Sequence, residues 1–562
     1  MKRLILIFIS LALFEFLFAQ PDYNRNALTT VALNFNENHS GEVFPRFHIM
    51  PVPDKFFNNP LAQPVIDLRG IKRPVMAELP ELLQYMNDDF IIGKLHEQKV
   101  AQQILAQWFN RQKDGSFNVD MLKERGLYNA NDNEFISASA SKRGTSTLMD
   151  MGLSLVNQTY VVVFDYYNIM NMSEYYIKNE TPGKDRTSNG YIAKVKTYLY
   201  RLDFGENVAA DFFNKYWIYT DDKDKAAKIK AFDDATFRWI PVSRQIAEHQ
   251  SSQSNPDKNT VIKQKSKEEL IDDMNKNLME KILPQMEART DEMRVKAMVS
   301  NVHPISAKIG KKEGLGFDQR YYVYENRMKK DGDVYKKLIA VVKSMKVVDN
   351  RKVTEGKSEV SEFYQIYGGK VDNMGMFLEQ KNDVGLNVFL GYTFEGMKGL
   401  NGRMEFYISK FMGDLIKENK SGKALTSIKL YVEGGYDKRM YYDFLEDGEK
   451  QDFVKISVGL SKDFYPSKFF HWGPFLGYGV ESSDFGDETL KYENETSFVE
   501  VGARLGFNIL PKTQLIGSYQ FNYLFDGKST NKTSGESVDL DYGEFYEGRG
   551  NPTISAGLRI MF

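Results

Sequence analysis

The sequence predicts a multidomain chain. A periplasmic α+β region and a small β-barrel module precede a C-terminal eight-stranded antiparallel transmembrane β-barrel. Three observations carry this: apolar and polar residues alternate through residues 384–562, the chain ends on the aromatic Phe562, and it opens on a charged and then apolar leader.

The terminal segment shows the pattern best. In Thr553–Phe562, Ile554, Ala556, Leu558, Ile560 and Phe562 fall on one face, and Thr553, Ser555, Gly557 and Arg559 on the other, with Met561 the one apolar exception. Strand side chains alternate faces with period two. An apolar strand at a free edge invites pairing. In a closed barrel the same face meets acyl chains and the ladder has no edge.

Composition narrows the function classes. At 562 residues the chain exceeds a single core. Lys+Arg 74 against Asp+Glu 76 argues against a nucleic-acid binder held by phosphate contacts. Phe (39) and Tyr (32) are abundant, as aromatic girdles require. With no cysteine, disulfides, thiolate metal sites, Cys nucleophiles and a lipidated N-terminal Cys are excluded. No internal run is long and apolar enough for a transmembrane helix.

Lys2 and Arg3 precede an apolar run, Leu4 to Ala19, followed by Gln20-Pro21. Residues 1–19 therefore read as a signal peptide cleaved after Ala19, although Leu17 and Glu15 fit the pattern loosely. Residues 20–250 read as a periplasmic α+β domain. Gln20 to about Pro60 lacks a clear period and reads as loop with short strands; 78–112 reads as helix on the stripe Leu95, Ala101, Ile104, Leu105 and Trp108. A second helix is expected over Asp132–Val156, a buried strand over Thr159–Tyr166, a strand over Tyr191–Phe204 and a short helix over Asp211–Trp217. Residues 251–301 read as linker, amphipathic helix (Leu270, Met274, Leu278, Ile282, Met286) and strand. Residues 302–383, punctuated by Gly310, Gly314, Gly316, Gly368 and Gly369, read as a small closed or half-closed β-barrel. Through Gly310–Tyr324 this stretch is similar to small β modules of periplasmic secretion and flagellar machinery.

Residues 384–562 divide into eight alternating segments: Val384–Phe394, Arg403–Met412, Leu425–Tyr436, Phe453–Ser461, His471–Glu481, Ser497–Ile509, Gln514–Phe525 and the terminal strand. Each suits a tilted bilayer crossing. Connections alternate between long (Asp526–Asn551, Ser482–Thr496) and short (Leu510–Thr513, Lys462–Phe470), a pattern that weakens at the first two hairpins. On these residues the chain resembles the eight-stranded Gram-negative outer-membrane barrels of the OmpA and OmpX kind, with Phe562 matching the family's assembly signal. The resemblance implies outer-membrane lipid and the barrel-assembly machinery as partners, while the even strand number puts both barrel termini, and with them the preceding residues, on the periplasmic side. Domain order departs from OmpA-type proteins, whose soluble domain follows the barrel.

The opposite faces carry Arg403, Glu405, Lys429, Glu433, Lys455, Glu481, Glu500, Arg504 and Arg559. Eight strands leave room only for side chains inside, so these charges are expected to pair into a plug centred on Glu500, Arg504 and Arg559.

Catalytic and metal motifs are absent. His39, His48, His96, His249, His303 and His471 show no metal-ligand spacing. Ser139-Ala140-Ser141-Lys142 fits S-x-x-K but lacks the accompanying S-D-N and K-T-G elements, and reads as helix surface. No catalytic residue, cofactor or metal is predicted. The leading expectation is a non-enzymatic barrel anchoring a periplasmic region that binds envelope proteins. The alternatives are an outer-membrane enzyme acting on lipid or cell wall, and an adhesin using the outer loops.

Overall fold

The structure is a computed structural model describing residues 25–75, 80, 84–129, 153, 155–179, 188–254, 264–329, 334–352, 359–372, 375–411, 425–439, 451–486 and 491–562. The expected signal peptide, the Ser139–Lys142 tetrad and most of the expected helix over 132–156 lie outside the described residues. Two compact units emerge. The first holds Pro21–Val295 with Arg351–Ser358; the second holds Lys296–Asn350 and Glu359–Phe562.

The first unit is built on a mixed sheet. Its strands are β1 (Ala27–Asn34), β2 (Phe57–Asn58), β3 (Val65–Asp67), β4 (Thr159–Asn171), β5 (Ser188–Leu202) and β6 (Trp239–Ser254), in the order β2-β1-β4-β5-β6, with β3 also on β1. β1 runs parallel to β2, β3 and β4, while β5 and β6 are antiparallel. Both faces are covered. On one, Val31, Val163, Tyr198 and Tyr200 pack with residues from helices Asp88–Glu97 and Val100–Trp108. On the other, Leu28, Val162 and Phe164 pack with Phe44, Phe47 and helix Lys267–Arg289. Parallel strands buried on both faces lose the period-two signature. That is why β1, a central strand, falls in a stretch that reads as loop.

The single helix expected over 78–112 is two, broken at Lys99, whose φ is +50°. The helix Lys267–Arg289 starts with a reciprocal cap. Ser266 Oγ accepts from Glu269 N at 3.2 Å, and Glu269 Oε2 accepts from Ser266 N at 2.7 Å. Leu270, Met274, Leu278, Ile282 and Met286 are all buried. This helix is thus core of the first unit rather than a piece set apart at 251–301, and β6 extends past 250 to Ser254.

The second unit begins with an antiparallel sheet of β7 (Lys296–Met298), β8 (Asn301–Val302), β9 (Ile305–Ala307), β10 (Arg320–Met328), β11 (Val334–Lys346), β12 (Ser361–Gly368) and β13 (Met376–Gln380), in the order β7-β13-β10-β11-β12-β9-β8. Its outermost strands, β7 and β8, follow each other in the chain, so the sheet curls round without pairing them. It is the half-closed form of the expected module.

The barrel follows: β14 (Leu386–Thr393), β15 (Gly399–Tyr407), β16 (Ile428–Arg439), β17 (Gln451–Lys462), β18 (Phe470–Gly486), β19 (Lys491–Leu510), β20 (Thr513–Leu524) and, beyond a small hairpin of β21 (Gly527–Asn531) and β22 (Ser537–Leu540), β23 (Thr553–Met561). Neighbours pair in the order β18-β17-β16-β15-β14-β23-β20-β19, and β18 pairs with β19 to close the ring. All eight are antiparallel. Two expectations are corrected. β15 ends at Tyr407, short of the expected segment Arg403–Met412, and Ile408 starts a short helix. The expected loop Ser482–Thr496 is mostly strand, because β18 and β19 continue pairing as far as Gly486 and Lys491. Polar residues on both faces hide strand periodicity once the hairpin leaves the apolar belt.

Candidate functional site

The barrel wall inverts the burial of a soluble protein. Leu390 is 65 % exposed, Leu558 47 %, Ile456 52 % and Phe521 56 %, whereas Arg403, Glu405, Lys429 and Arg559 are at most 1 % exposed. Register makes the belt continuous: Leu390 faces Leu558, Val388 faces Ile560, and Leu460 faces Leu476. Apolar side chains gain nothing from water, so such a wall belongs in lipid. Trp472, Phe507 and Phe562 lie toward one end of the belt, and Tyr392, Tyr478 and Tyr523 toward the other; all are exposed.

Inside, Glu405 and Glu433 are the hubs. Glu405 accepts from Lys429 Nζ at 2.9 Å, Arg559 Nη1 at 3.1 Å and Arg504 Nη1 at 3.1 Å. Glu433 accepts from Arg403 Nε at 2.6 Å, Arg504 Nη2 at 3.2 Å and Lys455 Nζ at 3.2 Å. Asp463 takes Lys429 at 2.7 Å and Arg559 at 2.9 Å. Glu500, expected near the centre, instead accepts from neutral groups: Tyr431 Oη at 2.7 Å, Ser457 Oγ at 2.9 Å and Gln520 Nε2 at 3.3 Å. The Arg403 guanidinium stacks on Tyr431 at 3.7 Å. Gly459 and Gly477 make room for that tyrosine, since a Cβ on either would stand 2.4 Å or 2.2 Å from its hydroxyl.

Residues from outside the eight strands pack at both mouths. At one, Tyr542, Tyr546 and Arg549 of the last long connection turn inward and are buried. Arg549 spans Glu481 with two 2.5 Å bonds and reaches Asp437 at 3.3 Å. Tyr546 Oη accepts from Asn494 Nδ2 at 2.6 Å. At the other mouth the half-closed sheet is bonded to the barrel. Asp318, wholly buried at φ +57°, accepts from Tyr364 Oη at 2.9 Å, Ser409 Oγ at 2.7 Å and Ser427 N at 2.9 Å. Arg320 donates to Met561 O at 3.2 Å, and the Met561 side chain packs against Tyr322, Val341 and Ile366. That contact accounts for the apolar exception on the inner face of the terminal strand.

Asp463, His471, Tyr542, Tyr546 and Arg549 were not expected in the lumen. Asp463 could have been found, because it continues the inward parity of Lys455, Ser457 and Ser461. Arg549 could not, because it arrives from a loop. His471 is fully buried, with Nε2 2.7 Å from Arg559 Nη2, so the barrel wall separates it from the lipid interface.

In the first unit, His39 Nε2 lies 2.8 Å from Glu174 Oε2, and its Nδ1 lies 3.5 Å from Glu42 Oε2. His96 Nε2 meets Phe237 O at 3.0 Å. Among the described residues no group of three or more His, Asp and Glu side chains could hold a metal ion. Asp165 is buried where β1 ends. Burial pushes its carboxyl up, outweighing Arg73, whose Nε donates to it at 3.0 Å.

A closed antiparallel eight-stranded ring, an apolar outer belt and a charged, filled interior define an outer-membrane-type β-barrel. No family model matches the chain, and no curated protein matches it. Solved structures similar to it include the N-terminal barrel domain of Pseudomonas aeruginosa OprF (10 % identity, 32 % of this chain and 100 % of that one, TM-score 0.21). A major outer membrane protein of Thermus thermophilus is similar too (14 %, 32 % and 98 %, TM-score 0.21), as is the attachment invasion locus protein Ail of Yersinia pestis (15 %, 31 % and 96 %, TM-score 0.19).

Proposed function

We propose that this chain is a non-enzymatic outer-membrane protein whose barrel anchors a large periplasmic part that binds other envelope proteins, as in an assembly or secretion complex. The leader 1–19 directs export and is removed. The single observation behind the anchoring role is the lumen filled by ion pairs, since an eight-stranded bore has room only for side chains. An even number of strands returns the terminus to the mouth where β14 starts, and that mouth faces the periplasm. The chain ahead of β14 is then periplasmic and about twice the barrel's length.

Cross-linking intact cells and recovering the protein from solubilised outer membranes tests this. Reproducible envelope partners are expected, and recovery as a lone monomer overturns it. One observation favours adhesion as a second reading. β21 adds to the projecting part of β19, and β22 adds to β21, giving a sheet beyond the belt. A variant lacking 528–539 joins the paired Gly527 and Leu540 and keeps Tyr542, Tyr546, Arg549 and the Leu540 side chain that packs against the two tyrosines. Loss of surface attachment in that variant, with envelope partners unchanged, favours the second reading.

A further inference from the structure

We propose that a groove on the outer face of the barrel, where β18, β19 and β21 run past the apolar belt, binds a neutral saccharide. The proposal rests on the membrane reading above and gives the adhesive reading a ligand.

Register builds the groove. Val480 lies opposite Ser497, Ser482 opposite Glu495, and Glu495 opposite Lys528. Cross-strand partners share a face, so these side chains stand together on the outer wall, with Asp526 beside them. They line a groove of about 320 Å³. β21 can approach β19 this closely because residue 527 is glycine; a Cβ there would stand 2.4 Å from Glu495 O. The floor is pinned. Phe525 N donates to Ser497 O at 2.9 Å, and Thr496 Oγ1 donates to Phe525 O at 2.7 Å.

The charges of this groove are open. One row further out, Asp484 lies opposite Glu493, and Lys532 reaches both, at 3.0 Å and 3.4 Å. In the groove Lys528 faces Glu495 in register. Yet among the described residues Glu495, Asp526 and Lys528 form no ion pair and no side-chain hydrogen bond. All three are exposed, and Ser482 and Ser497 are half-buried. One row further in, Tyr478, Val499 and Tyr523 stand side by side. Tyr523 is 70 % exposed, and Phe525 meets its ring edge-on at 5.2 Å.

A sugar ring carries hydroxyls at its edge and C–H groups on its faces. Carboxylates accept from the hydroxyls, the ammonium and serine hydroxyls donate to them, and an aromatic ring takes the C–H face. The volume falls at the small end of the ligand-site range, about 300–1,000 Å³. Two carboxylates against one ammonium leave the groove net negative, which disfavours sialylated, sulfated or phosphorylated sugars. The sugar can arrive on a lipid of the same leaflet or on a free glycan chain, and the test separates the two.

Full-length protein in phosphatidylcholine nanodiscs is applied to an array of neutral, sialylated and sulfated oligosaccharides. Retention on neutral spots is expected, with the anionic spots bare. Glu495→Gln combined with Asp526→Asn should weaken that retention about tenfold or more, because each change removes a charged acceptor. Both residues are exposed, and the mobilities of heated and unheated samples confirm that the variant is folded. Nanodiscs carrying the best-retained oligosaccharide on a ceramide anchor identify the source. A signal blocked in them assigns a lipid-borne sugar; a signal blocked only by that oligosaccharide in solution assigns a free chain. No retention by the folded parent, retention on anionic spots instead, or retention unchanged in the double variant overturns the proposal. Loss of attachment in the variant lacking 528–539, with no glycan retained by the parent, keeps the adhesive reading and removes only this ligand. One mobility with and without heating defeats the membrane reading and this proposal with it.

Discussion

Replacing Glu405 by glutamine keeps the shape of the lumen and removes one charge. Lys429, Arg504 and Arg559 all donate to this carboxylate within 3.1 Å, and none of the four side chains is more than 3 % exposed. Asp463 still holds Lys429 and Arg559, but Arg504 keeps only Glu433. Breaking a buried pair on one side costs about 3–5 kcal/mol, because the abandoned charge stays desolvated. That is roughly two to three and a half factors of ten in the folding equilibrium. The assay is urea-dependent refolding into lipid vesicles, with the folded fraction read as a gel shift between unheated and heated samples. Glu405→Gln with Lys429→Met restores the charge balance and should recover part of the loss. A single variant within about 0.5 kcal/mol of the parent, the range of an ordinary surface change, would refute a lumen held by paired charges.

On the outer face, Leu558→Arg should cost about 2–4 kcal/mol in the same assay, because that position faces acyl chains near the middle of the wall; a neutral result places it in water. Ser266→Ala removes the acceptor of Glu269 N at the start of helix Lys267–Arg289 and should cost about 1 kcal/mol by urea melt. Asp165 has a raised folded-state pKa, so the folded state binds its proton more tightly than the unfolded state. Its contribution is fully present below the unfolded value, about 3.9, and is lost as pH rises through the higher folded value. Asp165→Asn should flatten that slope in melts of the first unit followed by tryptophan fluorescence, and an unchanged slope contradicts it.

The barrel strands were legible because one face meets lipid and the other meets charge, so hydropathy flips at every residue from Thr553 to Ile560. β1 was not legible, because both of its faces are buried and Ala27–Asn34 shows no alternation. Lumen charges on strands could be assigned by parity, but their pairing could not. Glu405 and Glu433 became hubs, and Glu500 did not, because closure decides which strands face each other across the bore. Arg549 and Tyr546 reach the lumen from a connection, and periodicity says nothing about connections. Met561 broke the alternation because it serves a second interface.

The most direct test of the account is electrophoresis of carbonate-washed membranes with and without heating. An intact lipid-embedded cylinder resists detergent until heated, so the protein should stay in the pellet and run at two different mobilities. One mobility under both conditions, with the protein in the wash, would contradict the account.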